Sequence, residues 1–356
     1  MKFGLFYEMQ GASDRGDVAL YQEHMEQFRL ADELGYDCLW LAELHFQRDY
    51  SVLPAPLMVA AAASQITKRI RLGMGISVLP INQPLRLAEE IATLDILSNG
   101  RVDWGIGRGH PMTGIYDHFN IDIDQSKALF REHLDIIRLA WTEEEFSFDG
   151  KFHTIDSVRV VPKPVQKPTP PTFVSAFSPD TFDLAGEYGF NLFLPAQVIP
   201  VEQLKQAIAG YHAALDKYQR DRSQFRLPVL LPVYLDTDGD RARRDVERSM
   251  MSYYDIIGVM MGEMMGRLQK KHAEFPDSYK GYLQLGELTK DLNYDFVCRE
   301  LAIFGSPAEA VERIRFLRDE VGLQDIILWT NVGAMPHDKV CNSMRLFAEQ
   351  VMPHFA

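Results

Sequence analysis

Cysteine is scarce in this sequence: Cys38, Cys298 and Cys341 stand far apart with no paired spacing. That excludes a disulfide framework and the usual thiolate zinc sites, and points to a reducing, cytoplasmic setting. Long hydrophobic runs are missing too. The longest apolar stretch, residues 53–63, is broken by Pro54 and Pro56 and is far shorter than the ~20 residues of a spanning helix. Met1 leads straight into a strand-like run with no signal-peptide pattern, so neither export nor a membrane partner is expected. Basic charge is also in short supply. With 37 Lys and Arg against 50 Asp and Glu, the net charge of −13 disfavours nucleic acid as a partner. No H-E-x-x-H or His-x-His spacing marks a metal site, and no G-x-S-x-G elbow marks a serine hydrolase. No metal is expected.

What is present is a rhythm. Apolar runs of strand length lie at residues 3–7, 38–42, 70–76, 102–106, 172–176, 192–194, 227–235 and 326–329, with segments of helical period between them. Eight strand–helix alternations predict a parallel sheet closed into a (β/α)8 barrel, one domain over residues 1–356. Two stretches depart from the repeat. Residues 146–161 read as a surface hairpin turning at Asp149-Gly150. Residues 236–306, after the seventh strand, are too long for one loop and are expected to form a partly helical insertion serving as a lid.

In such a barrel the chemistry sits at the C-terminal strand ends, which selects a short set of polar residues. Glu43 and His45 follow the second strand, Arg108 and His110 the fourth, Ser175, Ser178 and Thr181 the fifth, and Asn331 the eighth. Ser178-Pro179-Asp180-Thr181 opens a helix, with Ser178 as N-cap; free backbone N–H groups there also suit a phosphate monoester. Gly105, Gly107 and Gly109 are spaced G-x-G-x-G, which does not fit a dinucleotide fingerprint. Close backbone approach of a flat ligand, with Arg108 supplying charge, is the reading preferred here. Six methionines between Met250 and Met265 form an apolar stripe, either a buried helix face or a pocket wall.

Several segments together resemble the bacterial luciferase-like flavin monooxygenases: MKFGLF, LADELGYDCLWLAELHF, VLPINQPLRLAEEIATLDILSNGR, GIGRG, SAFSPDT, and FGSPAEAVERI through NSMRLFAEQVMPHF. The resemblance implies a (β/α)8 barrel that binds reduced FMN supplied by a flavin reductase and forms a flavin hydroperoxide with O2. The product is an oxygenated small organic molecule, apolar or aromatic by this reading. It places Arg108, Lys127, Ser175, Ser178 and Thr181 around the FMN phosphate and ribityl chain and Glu43 near the flavin. A non-prolyl cis peptide is expected at Gly75-Ile76 beneath the ring. It also implies a homodimer, or a dimer with a related chain, packed through helices at residues 56–66 and 84–97. Many relatives read E-H-H-F where this chain has Glu43-Leu44-His45-Phe46, and a reactive thiol is replaced by Gly107. Light emission is therefore not expected, and the base falls to His45 or His110 or is dispensable. Two alternatives stay open: a deazaflavin-dependent oxidoreductase of the same superfamily, and a non-catalytic flavin-binding partner subunit. The polar span 266–290 is expected to open and close over the flavin.

Overall fold

The computed structural model describes residues 1–10, 16–175, 178–271 and 292–356. Eight strands are buried almost throughout, as near-continuous apolar runs in an all-parallel sheet must be. They are β1 (Lys2–Tyr7), β2 (Cys38–Leu41), β3 (Arg71–Met74), β4 (Val102–Gly107), β5 (Thr172–Ser175), β6 (Asn191–Pro195), β7 (Pro228–Leu235) and β8 (Asp325–Trp329). Each pairs in parallel with its chain neighbours, and β8 returns to β1 with Lys2 opposite Asp325 and Leu5 opposite Leu328. The ring is closed, so its eight strands all have partners on both sides.

Outside the ring lie helices α1 (Asp17–Leu34), α2 (Pro56–Ile66), α3 (Pro84–Leu97), α4 (Ser126–Thr142), α5 (Pro179–Tyr188) and α6 (Val201–Lys217). α7 (Gly239–Lys271), α8 (Pro307–Phe316) and α9 (His337–Gln350) complete the set. Their starts are marked in the sequence. Gln83 accepts from the Arg86 amide at 2.7 Å before Pro84 opens α3, and Ser306 with Glu309 forms a full capping box on α8.

Three details differ from the sequence reading. The third strand does not run through residue 76: it stops at Met74, the Gly75-Ile76 peptide is cis, and pairing with β4 resumes at Ser77–Val78. The hairpin strands Phe146–Asp149 and Thr154–Val158 are joined by a four-residue loop rather than a two-residue turn. The reason is Glu132 on α4, whose carboxylate accepts from the Lys151 and Phe152 amides and the His153 ring and draws the loop inward. In the insertion, a short strand Ile303–Gly305 adds to the C-terminal end of β7.

The insertion is dominated by α7, whose 33 residues span roughly 50 Å. It crosses the C-terminal ends of the strands. Arg267 Nη2 donates to the Met112 carbonyl at 2.7 Å, Tyr254 donates to the Gln197 carbonyl at 2.7 Å, and Tyr253 packs edgewise on Trp329 with ring centres 4.5 Å apart. Met250, Met260, Met261 and Met264 are buried beneath it, the buried-face reading of the methionine stripe. Of the span assigned to an opening lid, Gly266–Lys271 ends this helix and residues 272–290 lie outside the described residues. No helix among the described residues is long and apolar enough to cross a membrane.

The opposite end of the barrel is closed by charge. Asp103, fully buried on β4, accepts from Arg71 Nε and Nη2 at 2.8 and 2.6 Å and from Arg226 Nη1 at 2.9 Å. Arg226 also donates to Asp325 at 2.9 and 2.6 Å. Burial opposes the charge on Arg226, but Asp325 and Asp103 more than offset it and its affinity for the proton rises.

Candidate active site

The C-terminal ends of the strands bring most of the selected residues into two groups. The first surrounds the broken third strand. Glu43 accepts from the Val78 amide through Oε2 at 2.7 Å and from Asn82 Nδ2 through Oε1 at 3.2 Å. It thereby ties the end of β2 to the segment just after the cis peptide. His45 Nε2 lies 3.5 Å from Glu43 Oε1, and its ring packs edgewise on Phe119. Leu44, where relatives carry a histidine, is half-buried against the core, with its amide donating to the Leu53 carbonyl at 3.1 Å.

The glycines of β4 serve this same corner. A Cβ on Gly105 would fall 1.8 Å from the Met74 carbonyl oxygen, and one on Gly107 would fall 2.1 Å from Ile76 Cδ1. One on Gly109, at φ +73°, would fall 2.8 Å from Val78 Cγ1. The side-chain positions of the G-x-G-x-G run thus face the end of the third strand. The three glycines form a groove that seats residues 74–78.

The second group is a phosphate-sized cluster at two helix starts. Arg108 reaches Ser126 Oγ at 3.4 Å where α4 begins, and Tyr116 donates to the Arg108 carbonyl, fixing the loop. Lys127 Nζ pairs with Asp180 Oδ2 at 2.6 Å in the first turn of α5, and Ser178 Oγ lies 3.0 Å from Thr181 Oγ1. The bond and charge of Lys127, and then Arg108, hold the Asp180 carboxyl below its ordinary range. One guanidinium (Arg108), one ammonium (Lys127), three hydroxyls and the α5 N-terminus converge, a donor set that fits a phosphate monoester. The Lys127–Asp180 pair is 60% and 74% exposed, so it is worth little and yields readily to an incoming anion. Ser175 ends β5 beside Phe193, just before two residues outside the described set.

Two selected residues stand elsewhere. Asn331 is committed to His24, Nδ2 to Nε2 at 2.7 Å. His110 lies edgewise to Tyr50 at 6.0 Å, and neither ring nitrogen has a hydrogen-bond partner among the described residues. Burial pushes its imidazole down to about 4, so it is neutral near pH 7. Sequence reasoning passed over Glu8 and Gln10, which follow β1 and are 5% and 1% exposed. Applying the strand-end rule to the first strand finds both. Among the described residues no group of three or more His, Cys, Asp and Glu is arranged to hold a metal ion.

Known proteins share this family and fold. Residues 1–324 match the family described as luciferase-like monooxygenase. The oxygenase component of flavin-dependent trigonelline monooxygenase from Acinetobacter baylyi is 26% identical, aligning 100% of this chain with 96% of its own. The alkanal monooxygenase alpha chain of Photorhabdus luminescens is 25% identical over 99% of this chain and 96% of its own. Among solved structures, the monooxygenase RslO1 from Streptomyces bottropensis superposes with a TM-score of 0.81 at 28% identity, each chain fully covered. The oxygenating constituent of 3,6-diketocamphane monooxygenase from Pseudomonas putida, in complex with FMN, gives 0.81 at 22% identity, with 100% and 99% covered. The coenzyme F420 dependent tetrahydromethanopterin reductase of Methanopyrus kandleri gives 0.75 at 19% identity over 100% and 99% of the chains, a likeness of fold. With a closed parallel barrel and a family match over most of its length, the chain belongs to the luciferase-like monooxygenases.

Proposed function

We propose that this protein is the oxygenase component of a two-component flavin monooxygenase, taking reduced FMN from a separate reductase and oxygenating a small apolar or aromatic molecule. The observation that carries this reading is the convergence of Arg108, Lys127, Ser126, Ser178 and Thr181 at the starts of α4 and α5. A chain of charge −13 must gather cations locally to hold a phosphate dianion, and it does so here. Reduced FMN held there supplies the electrons that activate dioxygen. The protein's part is placement. Ser175, Ser178 and Thr181 would offer hydroxyls to the ribityl chain and phosphate of a bound FMN, Gly75 and Ile76 would lie beside its ring, and Glu43 holds that strand end through the Val78 amide. His45 beside Glu43 and the neutral His110 are the groups available to hold a proton. The chain acts as one unit, with α7 of the excursion covering the mouth against water.

Titration with reduced FMN tests the site. Arg108→Ala and Ser178→Ala are each expected to weaken binding by about 1.5–3 kcal/mol, at least tenfold. Unchanged affinity in both overturns the assignment. The likeness to the F420-dependent reductase favours a second reading, hydride transfer from a deazaflavin. Parallel titration with reduced F420, together with oxygen uptake, separates the two and also detects a non-catalytic subunit. Exposed Met58 on α2 and Ile96 and Leu97 on α3 support a dimer through those helices. Light scattering is expected to give twice the 40.7 kDa chain mass, and a monomer at micromolar concentration contradicts it.

A further inference from the structure

Four side chains meet under α7 at the barrel mouth: Glu8 beyond β1, Tyr50 in the loop after β2, His110 after β4, and Tyr253 on α7. Tyr50 and Tyr253 stack with ring centres 5.7 Å apart and an interplanar angle of 22°, their hydroxyls 3.5 Å apart. His110 stands edgewise to Tyr50, and Trp329 edgewise to Tyr253. Burial, followed by the Glu8 carboxyl beside them, pushes both tyrosine hydroxyls up. The group is thus continuous.

Its polar atoms are unsatisfied. Glu8 is 5% exposed, yet its Oε2 has no hydrogen-bond partner among the described residues; the same holds for both ring nitrogens of His110 and for Gln197 Oε1. Gln10, 1% exposed, spends its Oε1 on the Gly333 amide at 2.7 Å and leaves Nε2 unpaired. A buried polar atom without a partner costs roughly 1–3 kcal/mol, and native chains keep very few. Several gathered around one aromatic stack at the functional end of a barrel mark places where a ligand supplies the missing partners.

The charges define the ligand. Among the described residues no Lys or Arg charge shifts Glu8 or His110; burial raises the Glu8 carboxyl to about 8 and lowers the His110 imidazole to about 4. Both are neutral near pH 7, so among the described residues of this group none compensates a charged substrate. The rings beside these atoms, Tyr50 and Tyr253, favour a flat partner.

We infer that Glu8, His110 and the Tyr50–Tyr253 stack form the recognition site for a neutral aromatic substrate bearing hydroxyl and carbonyl groups, which supply the hydrogen-bond partners their buried polar atoms lack. Straight-chain aldehydes leave its polar atoms unpaired, and aromatic carboxylates bring an uncompensated charge. The inference deepens the monooxygenase reading and rests on it only for calling this ligand the substrate.

The test is calorimetric binding to the flavin-free protein, using 5-hydroxy-1-tetralone with tetralin, decanal and 1-naphthoate as comparisons. The hydroxyketone is expected to bind at least tenfold more tightly than any of the three. Glu8→Gln keeps a neutral donor and acceptor and should stay within threefold of the parent. Glu8→Leu should lose at least tenfold for the hydroxyketone, leave tetralin unchanged or tighter, and melt about 2 °C or more higher, because an unpaired buried carboxyl is gone. A merely structural Glu8 moves the melting temperature the other way. If Glu8→Leu does not fold, Tyr253→Phe carries the test, with an expected loss of threefold or more. No heat with the hydroxyketone, equal binding of decanal or 1-naphthoate, or a Glu8→Leu (or, failing that, Tyr253→Phe) affinity matching the parent overturns the inference. A Glu8→Gln loss as large as that of Glu8→Leu overturns it too. None of these measurements involves FMN, so failure of the phosphate cluster to bind FMN is read separately.

Discussion

Asp103→Ala is expected to destabilise the protein by about 3–5 kcal/mol while leaving the flavin site intact. Asp103 lies between Arg71 and Arg226 with no exposed surface, bonding both, and Arg226 passes the network on to Asp325 on β8. Four strands or strand approaches, β3, β4, β7 and β8, are thereby joined at the N-terminal end of the ring. Removing the central carboxylate leaves two partly buried guanidinium groups facing each other, and the Phe173 ring beneath Arg226 at 5.1 Å offers only a weak substitute. The comparison that isolates this effect is Arg71→Met. Arg71 is 29% exposed at its side chain and Asp103 keeps Arg226, so that change should cost well under half as much. Urea unfolding of the two variants measures the difference. An Asp103→Ala variant within about 1 kcal/mol of the parent shows that desolvation cancels the attraction. FMN affinity should not move in either, because the phosphate cluster lies at the other end of the strands.

The barrel itself was legible because each strand is a short apolar run and each run is separated from the next by a helical pattern, a regularity that needs no tertiary information. Arg108 and Ser178 were legible by the same means, since strand ends locate them. Three features were not. The continuous apolar character of residues 70–76 conceals the stop at Met74, and only the family resemblance pointed to Gly75-Ile76. Glu8 reads as an ordinary loop acid after a strand, since its buried neighbour Tyr253 lies on a helix some 245 residues away and follows no strand-end rule. Asp103 and Asp325 sit at the strand beginnings, where the search for chemistry does not look and where charge serves stability.

The glycines of β4 seat the end of the third strand, and Gly105→Ala measures what that seating contributes. Gly105 and Gly107 alternate along the strand and so face the same way, toward the segment between Met74 and Val78. At Gly105 the obstacle is the Met74 carbonyl oxygen, 1.8 Å from where the methyl carbon would lie. Backbone cannot rotate aside as a side chain does, so β3 and β4 must separate by more than an ångström. That movement opens the pairing of Ser77 with Ile106 and pulls the Val78 amide from Glu43. A stability loss at or above the upper end of about 1–3 kcal/mol is expected, together with at least a tenfold loss of FMN affinity. Gly107→Ala meets only the end of the Ile76 side chain, which has another rotamer to adopt, so its effect should be smaller on both measurements. The order of the two separates the competing accounts of the motif. If the glycines exist to admit a ligand, both substitutions should reduce FMN binding without lowering the melting temperature. If they exist to seat the third strand, stability and binding fall together, and Gly105→Ala falls further.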